Sequence, residues 1–467
     1  MQEKKKRYSD TRRAFLKRAG KLSVAAVAAP HLVSTATLGL GNTVPPSDRI
    51  VLACIGLGGQ GTRNMQQFIQ HDDVQITALC DVNSGSDNYD MLYQYPGSST
   101  AGLQPALDRA VQFYAARGKT IAKSDVVLYH DFREMLVKED VDAVSVCTPD
   151  HWHALVSIAA LQARKDVYCE KPLANSVQEG RSLCNAVALY GGILQTGSHE
   201  RSNDSVRYAC ELIRNGRIGK VHTVRVSMPN RDNHHLRLLN NLGPRQTIAV
   251  PDNLDYEMWI GPSPWRPYCA GGTHFWWRYI LECGGGEMTD RGAHIIDLAQ
   301  MILDKDDSGP VSYVGHGWAP ENGLYNSFME YKFECVYDDG IKLIGDSEGE
   351  RGIKFEGNDG WIFIHIHGGR LQAEPSSLLR EIIGPNEIHV GRSPGHHRNF
   401  LDCVKSRKQP IVPAEVGHRT ATICHLLNIA FETGKPFKWD PDTEQITDDS
   451  HANRRLVQPM RSPWQIT

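Results

Sequence analysis

The chain has 467 residues, 22% charged and 40% apolar, which is ordinary for a globular protein, and its length predicts two or three domains. The net charge is −3, but residues 1–40 hold nine lysines and arginines against two acidic residues, so the remainder carries −10. This acidic body excludes a nucleic-acid-binding protein, because neutralising phosphates requires a basic surface.

The basic N-terminus has the pattern of a targeting signal. Residues 11–17 read TRRAFLK, in which Arg12 and Arg13 form a twin-arginine pair, and a weakly apolar, alanine-rich stretch follows. Pro30 interrupts that stretch, which is too mildly hydrophobic to predict a membrane span; the alternative is a basic amphipathic helix. We predict a twin-arginine signal peptide over residues 1–40, the twin-arginine translocase as a partner, and a periplasmic or otherwise exported protein.

A glycine loop follows the first predicted strand. The apolar run Ile50–Ile55 leads into Gly56-x-Gly58-x-x-Gly61, with Gln60 inside the loop, and a helix-compatible stretch comes next. The first glycine permits the turn, the second lets the backbone approach a pyrophosphate, and the third lets helix and strand pack closely. This order predicts a dinucleotide site with its phosphates at the helix N-terminus.

A second apolar run, residues 74–80, ends at Asp81, twenty residues after Gly61. At that place an acidic side chain accepts hydrogen bonds from the adenosine ribose. No arginine stands near Asp81 to bind a 2′-phosphate, so NAD is favoured over NADP as the cofactor. Because an exported enzyme meets no free NAD, we expect the cofactor to be tightly bound.

Strands and helices alternate as far as residue 200. Further buried strands are predicted over 126–129, 141–147 and 166–169, each followed by a helix-like stretch. The alternation predicts an α/β fold, a Rossmann doubly wound parallel sheet over residues 48–200. Ligands bind beyond the carboxyl ends of such strands. The residues at those ends are Gly56, Asp81, Thr148, Pro149, Glu170 and Lys171, with His153 just beyond.

The pattern changes after residue 200. Alternating apolar and polar residues appear over 221–228, 327–337, 341–345 and 361–367, and the tail over 391–434 has a helical pattern. These runs predict a C-terminal α+β domain over residues 201–467 with a mostly antiparallel sheet, which we expect to bind substrate and to form a homo-oligomer.

Asp290, His294 and Asp297 have the spacing of one helix face. A histidine that titrates near neutrality can shuttle the proton of an alcohol. Lys171, partly desolvated beside a nicotinamide, is expected to have a lowered pKa and to polarise the same oxygen. The alternatives are a surface ion pair for Asp290 and His294, and a solvated loop lysine for Lys171. We predict Lys171, Asp290 and His294 as catalytic residues.

Together these motifs resemble those of the glucose–fructose oxidoreductase, inositol dehydrogenase and rhizopine-catabolism (Gfo/Idh/MocA) family, over nearly the whole chain beyond the signal. The resemblance implies an NAD(P)-dependent dehydrogenase of sugars or polyols. In it Lys171 contacts the substrate hydroxyl and the cofactor, Asp290 is the substrate-binding carboxylate, and His294 is the catalytic histidine. Glu170 and His153 flank the nicotinamide end.

The substrate is less constrained by the sequence. Trp276, Trp277 and Arg278 could stack on a sugar and bond its hydroxyls, or could belong to a packed loop. A glycoside 3-dehydrogenase is one form of the predicted enzyme. A redox-neutral NAD-dependent glycoside hydrolase or lyase is the first alternative, although exported enzymes of that kind that resemble this family usually depart from Glu-Lys-Pro. A non-catalytic sugar-binding homologue is the second.

Histidines and cysteines add little to this prediction. The pairs His234-His235, His396-His397 and His365-x-His367 lack a carboxylate or cysteine at ligand spacing, so no metal site is predicted. The eleven cysteines include no CxxC and predict no disulfide framework, although one or two bridges are left open.

Overall fold

The structure is a computed structural model that describes residues 44–87, 100–118, 122–229 and 246–466. The twin-arginine pair, most of the polar insertion after Asp81, and His234-His235 lie outside these residues. Among the helices that are described, none is both long enough and apolar enough to cross a membrane. All eleven cysteines are free thiols, and ten of them are buried.

Six parallel strands form the first sheet. They are β1 (Ile50–Ile55), β2 (Val74–Cys80), β3 (Val127–Tyr129), β4 (Ala143–Val146), β5 (Asp166–Cys169) and β6 (Leu194–Thr196). Their order is β3-β2-β1-β4-β5-β6, and every neighbouring pair is parallel. The predicted doubly wound sheet is therefore confirmed. The order reverses between β1 and β4, which is where ligands bind in such sheets.

Helices follow the strands of this sheet. They are α1 (Gly59–Phe68), α2 (Leu103–Ala116), α3 (Phe132–Lys138), α4 (Asp150–Gln162) and α5 (Val177–Tyr190). Side-chain caps fix where α3 and α5 begin. The Asp131 side chain accepts a hydrogen bond from Arg133 N at the start of α3, and the Ser176 side chain accepts one from Glu179 N at the start of α5. Gly191, at φ +68°, ends α5 in the left-handed conformation.

Nine strands form the second sheet. They are β7 (Val221–Ser227), β8 (Ser312–Trp318), β9 (Glu330–Val336), β10 (Lys342–Asp346), β11 (Gly352–Gly357), β12 (Gly360–His365), β13 (Leu371–Glu374), β14 (Phe437–Asp440) and β15 (Gln445–Ile446). Their order is β13-β12-β11-β7-β10-β9-β8-β14-β15. The β7–β10 pair is parallel and the other assigned pairs are antiparallel. This confirms the predicted mostly antiparallel sheet.

The remaining α-helices of the described residues are α6 (Asp204–Arg214), α7 (Tyr256–Ile260), α8 (Gly286–Leu303), α9 (His396–Ser406), α10 (Ala414–Thr433) and α11 (Ser450–Asn453). Apolar faces of α8 and α10 share one core with the second sheet, for example Leu298 and Leu427 with Phe333. The predicted helical tail is thus two helices, because Pro410 and Pro413 lie between α9 and α10 and cannot continue a helix.

Helix α9 returns to the first sheet. Phe400 and Leu401 are fully buried in the core of the first sheet, and the Phe400 ring meets Phe68 and Tyr168 edge-on at 5.9 Å. The guanidinium of Arg398 pairs with Asp73 at 2.7 Å. A segment from the predicted C-terminal domain therefore completes the core of the predicted N-terminal one.

Candidate active site

A cavity of about 740 Å³ opens beyond the carboxyl ends of β1, β2, β4 and β5 and reaches α8. Most of the residues predicted to bind cofactor or substrate line it. They are Gly56, Gly58, Gln60, Asp81, Thr148, Pro149, His153, Glu170, Lys171, Trp277, Arg278, Asp290 and His294. Gly61 and Trp276 are absent from this lining.

The glycine loop is shaped by close backbone contacts. Gly56 has φ +82°, and a Cβ there would lie 2.6 Å from Cys147 O. Gly61 packs against the loop, since a Cβ on it would lie 1.8 Å from Gly56 O. Gly58 precedes α1 without a side-chain cap, and Gly58, Gly59 and Gln60 at the start of this helix all line the cavity. Such a helix start suits a pyrophosphate.

Asp81 lies beside this loop. Its carboxylate accepts hydrogen bonds from Leu57 N at 2.5 Å and from Asn83 N at 2.8 Å. Burial raises the pKa of Asp81 to about 6, although these two hydrogen bonds oppose the shift. The group is therefore ionised at neutral pH. Thr148 Oγ1 is also buried at the cavity without a hydrogen-bond partner in the described residues, so the pocket offers an uncommitted hydroxyl to a bound molecule.

The Glu-Lys-Pro segment is fixed by buried polar contacts. Glu170 accepts hydrogen bonds from Asn64 Nδ2 at 2.7 Å and from Gln60 Nε2 at 3.2 Å. The ring nitrogens of His153 lie 2.6 Å from Pro172 O and 2.9 Å from Thr148 O. Burial lowers the pKa of His153 to about 4, so the ring is neutral and donates only one of the two bonds. These contacts hold the turn that presents Lys171.

Lys171 and Asp290 meet in the cavity. The ammonium donates to Asp290 Oδ1 at 2.6 Å and to Asp290 O at 2.8 Å. Burial acts to lower the pKa of Lys171, but the attraction of Asp290 outweighs it, and the pKa is raised. The predicted lowered pKa is therefore wrong, because the sequence did not reveal that a carboxylate would be in contact. The lysine is therefore a cation at neutral pH.

His294 lies one helical turn beyond Asp290 on α8. Burial first, then the positive charge of Lys171 and the neighbouring His199, hold its pKa well below the usual range. The predicted titration near neutrality is therefore wrong. Its Nδ1 is buried without a hydrogen-bond partner among the described residues. The carboxylate of Asp290 is engaged by Lys171, so the structure shows no bond by which Asp290 would orient this ring.

Asp297 is buried away from this cavity. It has no exposed surface and forms a bidentate pair with Arg201, at 2.7 and 2.8 Å, while Thr420 Oγ1 donates to it at 3.1 Å. Although it shares the spacing of Asp290 and His294, its role is to link α8 to the segment after β6 and to α10.

The aromatic segment before α8 contributes two of its three predicted residues to the cavity. The Arg278 guanidinium lies 4.5 Å from the Trp277 ring centre, and its Nε lies 3.5 Å from Asp290 Oδ1. Trp276 instead faces Tyr279 and Tyr325 at ring distances of 6.3 Å, so it belongs to the packed side of the loop.

Seven acidic or imidazole side chains that line the cavity were not predicted to be site residues. They are His130, Asp150, His199, Glu200, His274, His367 and His396. Asp150 stands in the first turn of α4, and burial raises its pKa well above the usual range although Lys171 and Arg278 oppose the shift. His367 follows β12, at φ +61°. Of His365 and His367, which the sequence analysis considered together, only His367 lines the cavity, because His365 contacts Glu350 instead.

Comparison with known proteins identifies both parts of the chain. The model "Oxidoreductase family, NAD-binding Rossmann fold" of the Gfo/Idh/MocA family matches residues 98–198, and the family's "C-terminal alpha/beta domain" model matches residues 202–466. Levoglucosan dehydrogenase from Pseudarthrobacter phenanthrenivorans is 33% identical over 42% of this chain and 40% of its own length. A glycosyl hydrolase family 109 protein from Shewanella pealeana is 27% identical over 36% of the chain and 35% of its own.

The chain thus matches less than half the length of either relative. Among solved structures, the WlbA dehydrogenase from Bordetella pertussis, in complex with NADH and UDP-GlcNAcA, has a TM-score of 0.57. It covers 84% of this chain and 99% of its own, at 16% sequence identity, which shows a shared fold.

Proposed function

Because the chain belongs to the Gfo/Idh/MocA oxidoreductase family, we propose that it is an NAD-dependent enzyme acting on a sugar, polyol or glycoside. It would transfer a hydride between the nicotinamide and a hydroxyl or keto carbon of that substrate. The observation that carries the proposal is the partly buried Lys171–Asp290 pair, 2.6 Å apart, in the cavity that the glycine loop also lines.

The residues present fit NAD. The uncapped start of α1 can bind the pyrophosphate, and the ionised carboxylate of Asp81 can accept hydrogen bonds from the ribose hydroxyls. A second negative charge beside Asp81 would be repelled, which favours NAD over its 2′-phosphorylated form. When bound, the nicotinamide supplies a carbon that accepts or returns hydride. Tight binding is part of the proposal, since an exported enzyme has no pool of free cofactor.

The chain's own residues supply the other half of the reaction. Lys171 keeps its proton, so it would stabilise negative charge developing on the substrate oxygen. The neutral ring of His294 would accept the hydroxyl proton in oxidation and return it in reduction. Asp290 holds the ammonium in place through two hydrogen bonds, to its carboxylate and to its main-chain oxygen. Arg278 and Trp277 offer a charged and an apolar surface for the ring of a sugar.

A redox-neutral glycoside hydrolase or lyase is the second candidate, and the 27% identity to a glycosyl hydrolase family 109 protein favours it. In that chemistry, transient oxidation at C3 acidifies the neighbouring C–H and permits elimination of the aglycone. Both candidates need the same oxidation step. A glycoside 3-dehydrogenase would stop after it and release a keto-sugar.

One set of measurements separates these possibilities. The nucleotide is released from purified protein by denaturation and identified by mass spectrometry; we expect NAD or NADH. The intact protein is then mixed with a panel of glycosides and polyols while the nicotinamide absorbance is followed in a single turnover. A change in absorbance with a keto product indicates a dehydrogenase. Cleavage without net absorbance change indicates the hydrolase. Absence of bound nucleotide, with none taken up on titration, would exclude both.

A further inference from the structure

Two imidazole side chains converge on one carboxylate oxygen of Glu200 in the wall of the cavity. His367 Nδ1 lies 3.2 Å and His199 Nε2 lies 3.5 Å from Oε1 of Glu200, which also accepts a hydrogen bond from His367 N at 3.0 Å. Within the described residues this is the one group of three histidine, cysteine or acidic side chains whose ligand atoms all lie within 4.8 Å of one another.

The spacing fits ligands of a single ion. Donor atoms at about 2.0–2.1 Å from a tetrahedral zinc are separated from one another by about 3.3 Å. The two nitrogen–oxygen distances, 3.2 and 3.5 Å, bracket that value. The side chain of Glu200 is only 4% exposed, so its carboxylate faces the two imidazoles from a buried position. A buried anion with two imidazoles attached is a suitable donor set for a borderline divalent cation.

We propose that His199, Glu200 and His367 bind one divalent transition-metal ion, with zinc as the best match to two nitrogens and one carboxylate. Three protein ligands leave a fourth position open, as in catalytic rather than structural zinc sites. All three residues line the cavity, so that position is accessible to water or to an oxygen of a bound molecule.

Two further observations point to a ligand at this place. His294, 5% exposed, has its ring centre 4.7 Å from that of His199 and 5.1 Å from that of His367, and its buried Nδ1 has no hydrogen-bond partner among the described residues. The backbone of His367 is in the left-handed region at φ +61°, which costs free energy for a residue other than glycine. That conformation brings both its ring and its N–H to Glu200.

The test is metal uptake by the full chain with its nucleotide bound. The protein is dialysed against a chelator and then titrated with Zn²⁺ by calorimetry, and with Co²⁺ while ligand-field absorption is recorded. We expect one ion per chain. Glu200→Gln and His199→Ala should each weaken binding by about 100-fold or more, since each removes a ligand. His199 is the safer variant for folding because its side chain is 45% exposed.

The matched control is His365→Ala. His365 is two residues from His367 and contacts a carboxylate, Glu350, but only as a pair on the surface. It should bind Zn²⁺ as the unmodified chain does. Failure of the unmodified chain to take up a stoichiometric ion, or equal weakening by His365→Ala and His199→Ala, overturns the proposal. Uptake is measured without turnover, so this result is independent of whether the chain oxidises sugars.

Discussion

In the proposed reaction, the charge states of two cavity residues give them different roles. Lys171 has a raised pKa and His294 has one held well below its usual range, so at neutral pH one is a cation and the other is neutral. The lysine can therefore stabilise an oxygen but is poorly suited to take its proton. The histidine is free to accept that proton. Asp290 pairs with the lysine and raises its pKa against the effect of burial, whereas burial and the neighbouring positive charges lower the pKa of the histidine.

Removing either group should slow the reaction without emptying the cofactor site. His294→Ala and Lys171→Ala should each reduce turnover by ~10²–10⁴-fold, the usual contribution of a positioned proton-transfer or charged group. The two losses should be less than multiplicative in the double variant, because both residues act on one oxygen. Single-turnover absorbance of the bound nicotinamide measures the rates.

Lys165→Ala is the control for loss of a lysine, since the Lys165 side chain is equally buried, at 13% exposure, but contacts Asp140 away from the cavity. It should retain the rate of the unmodified chain. Single-turnover rates in His294→Ala and Lys171→Ala that equal this control would remove both residues from the chemistry.

The cofactor site should have its own pH dependence. The pKa of Asp81 is about 6, above the ordinary range, so its carboxylate is ionised above that pH and becomes protonated as the pH falls through it. Protonation removes the charge-assisted acceptor for the ribose, and NAD affinity should therefore fall below about pH 6. Asp81→Asn should bind about 1 kcal/mol more weakly at pH 8, with a flatter profile between pH 5 and pH 8. Fluorescence titration with NAD measures both, and a profile unchanged by the substitution would contradict this assignment.

The strand pattern predicted those parts of the site that lie at the carboxyl ends of the parallel strands. Gly56, Asp81 and Lys171 follow strands directly, so the strand pattern was enough to bring them to one edge. His199 and His367 come from segments 168 residues apart and meet only because the second sheet lies against the segment after β6. No spacing in the sequence carries that information, and neither charge-state shift was predictable without the contacts that cause it.

At the scale of elements, α8 does two tasks with one face. Asp290 and His294 reach the cavity, while Asp297 fixes the helix through the buried pair with Arg201. Regular spacing of polar residues therefore did not distinguish function from support. The strands were predicted best where apolar and polar residues alternate without interruption. β8 was missed because Gly315 and Gly317 interrupt its pattern, and the structure needs glycine there, since a Cβ at Gly315 would lie 2.7 Å from the Phe431 ring.

Breaking the Asp297–Arg201 pair should destabilise the fold strongly. Asp297→Ala leaves the guanidinium of Arg201, which is 4% exposed, with Asp306 as its remaining carboxylate partner. We expect the free energy of unfolding to fall by ~3–5 kcal/mol. Urea unfolding measures this loss. Arg392→Ala is the control, because its pair with Asp204 is exposed and should contribute about 0–1 kcal/mol. Equal midpoints for the two variants would show that the buried pair has no such role.

At the scale of the whole molecule, we propose that the N-terminal segment directs export of the folded protein by the twin-arginine route. Arg12→Lys with Arg13→Lys should leave the precursor in the cytoplasm, because the paired arginines are the recognised feature. Cell fractionation and immunoblotting measure the distribution. Arg18→Lys, outside the pair, should be exported normally. Export of the double variant at the unmodified rate would exclude this route.

Because α9 packs against the first sheet, the core of that sheet is completed late in biosynthesis. The last strand of that sheet ends at residue 196, yet Phe400 and Leu401, which close its core, are made about 200 residues later. At synthesis rates of about 5–20 residues per second, the ribosome needs roughly 10–40 s to supply them. Until then we expect an apolar face of the nascent Rossmann sheet to be open to water and to chaperones. Gly395 and His396, at the start of the same helix, also line the cavity, so the cavity is complete only after this late segment has been made.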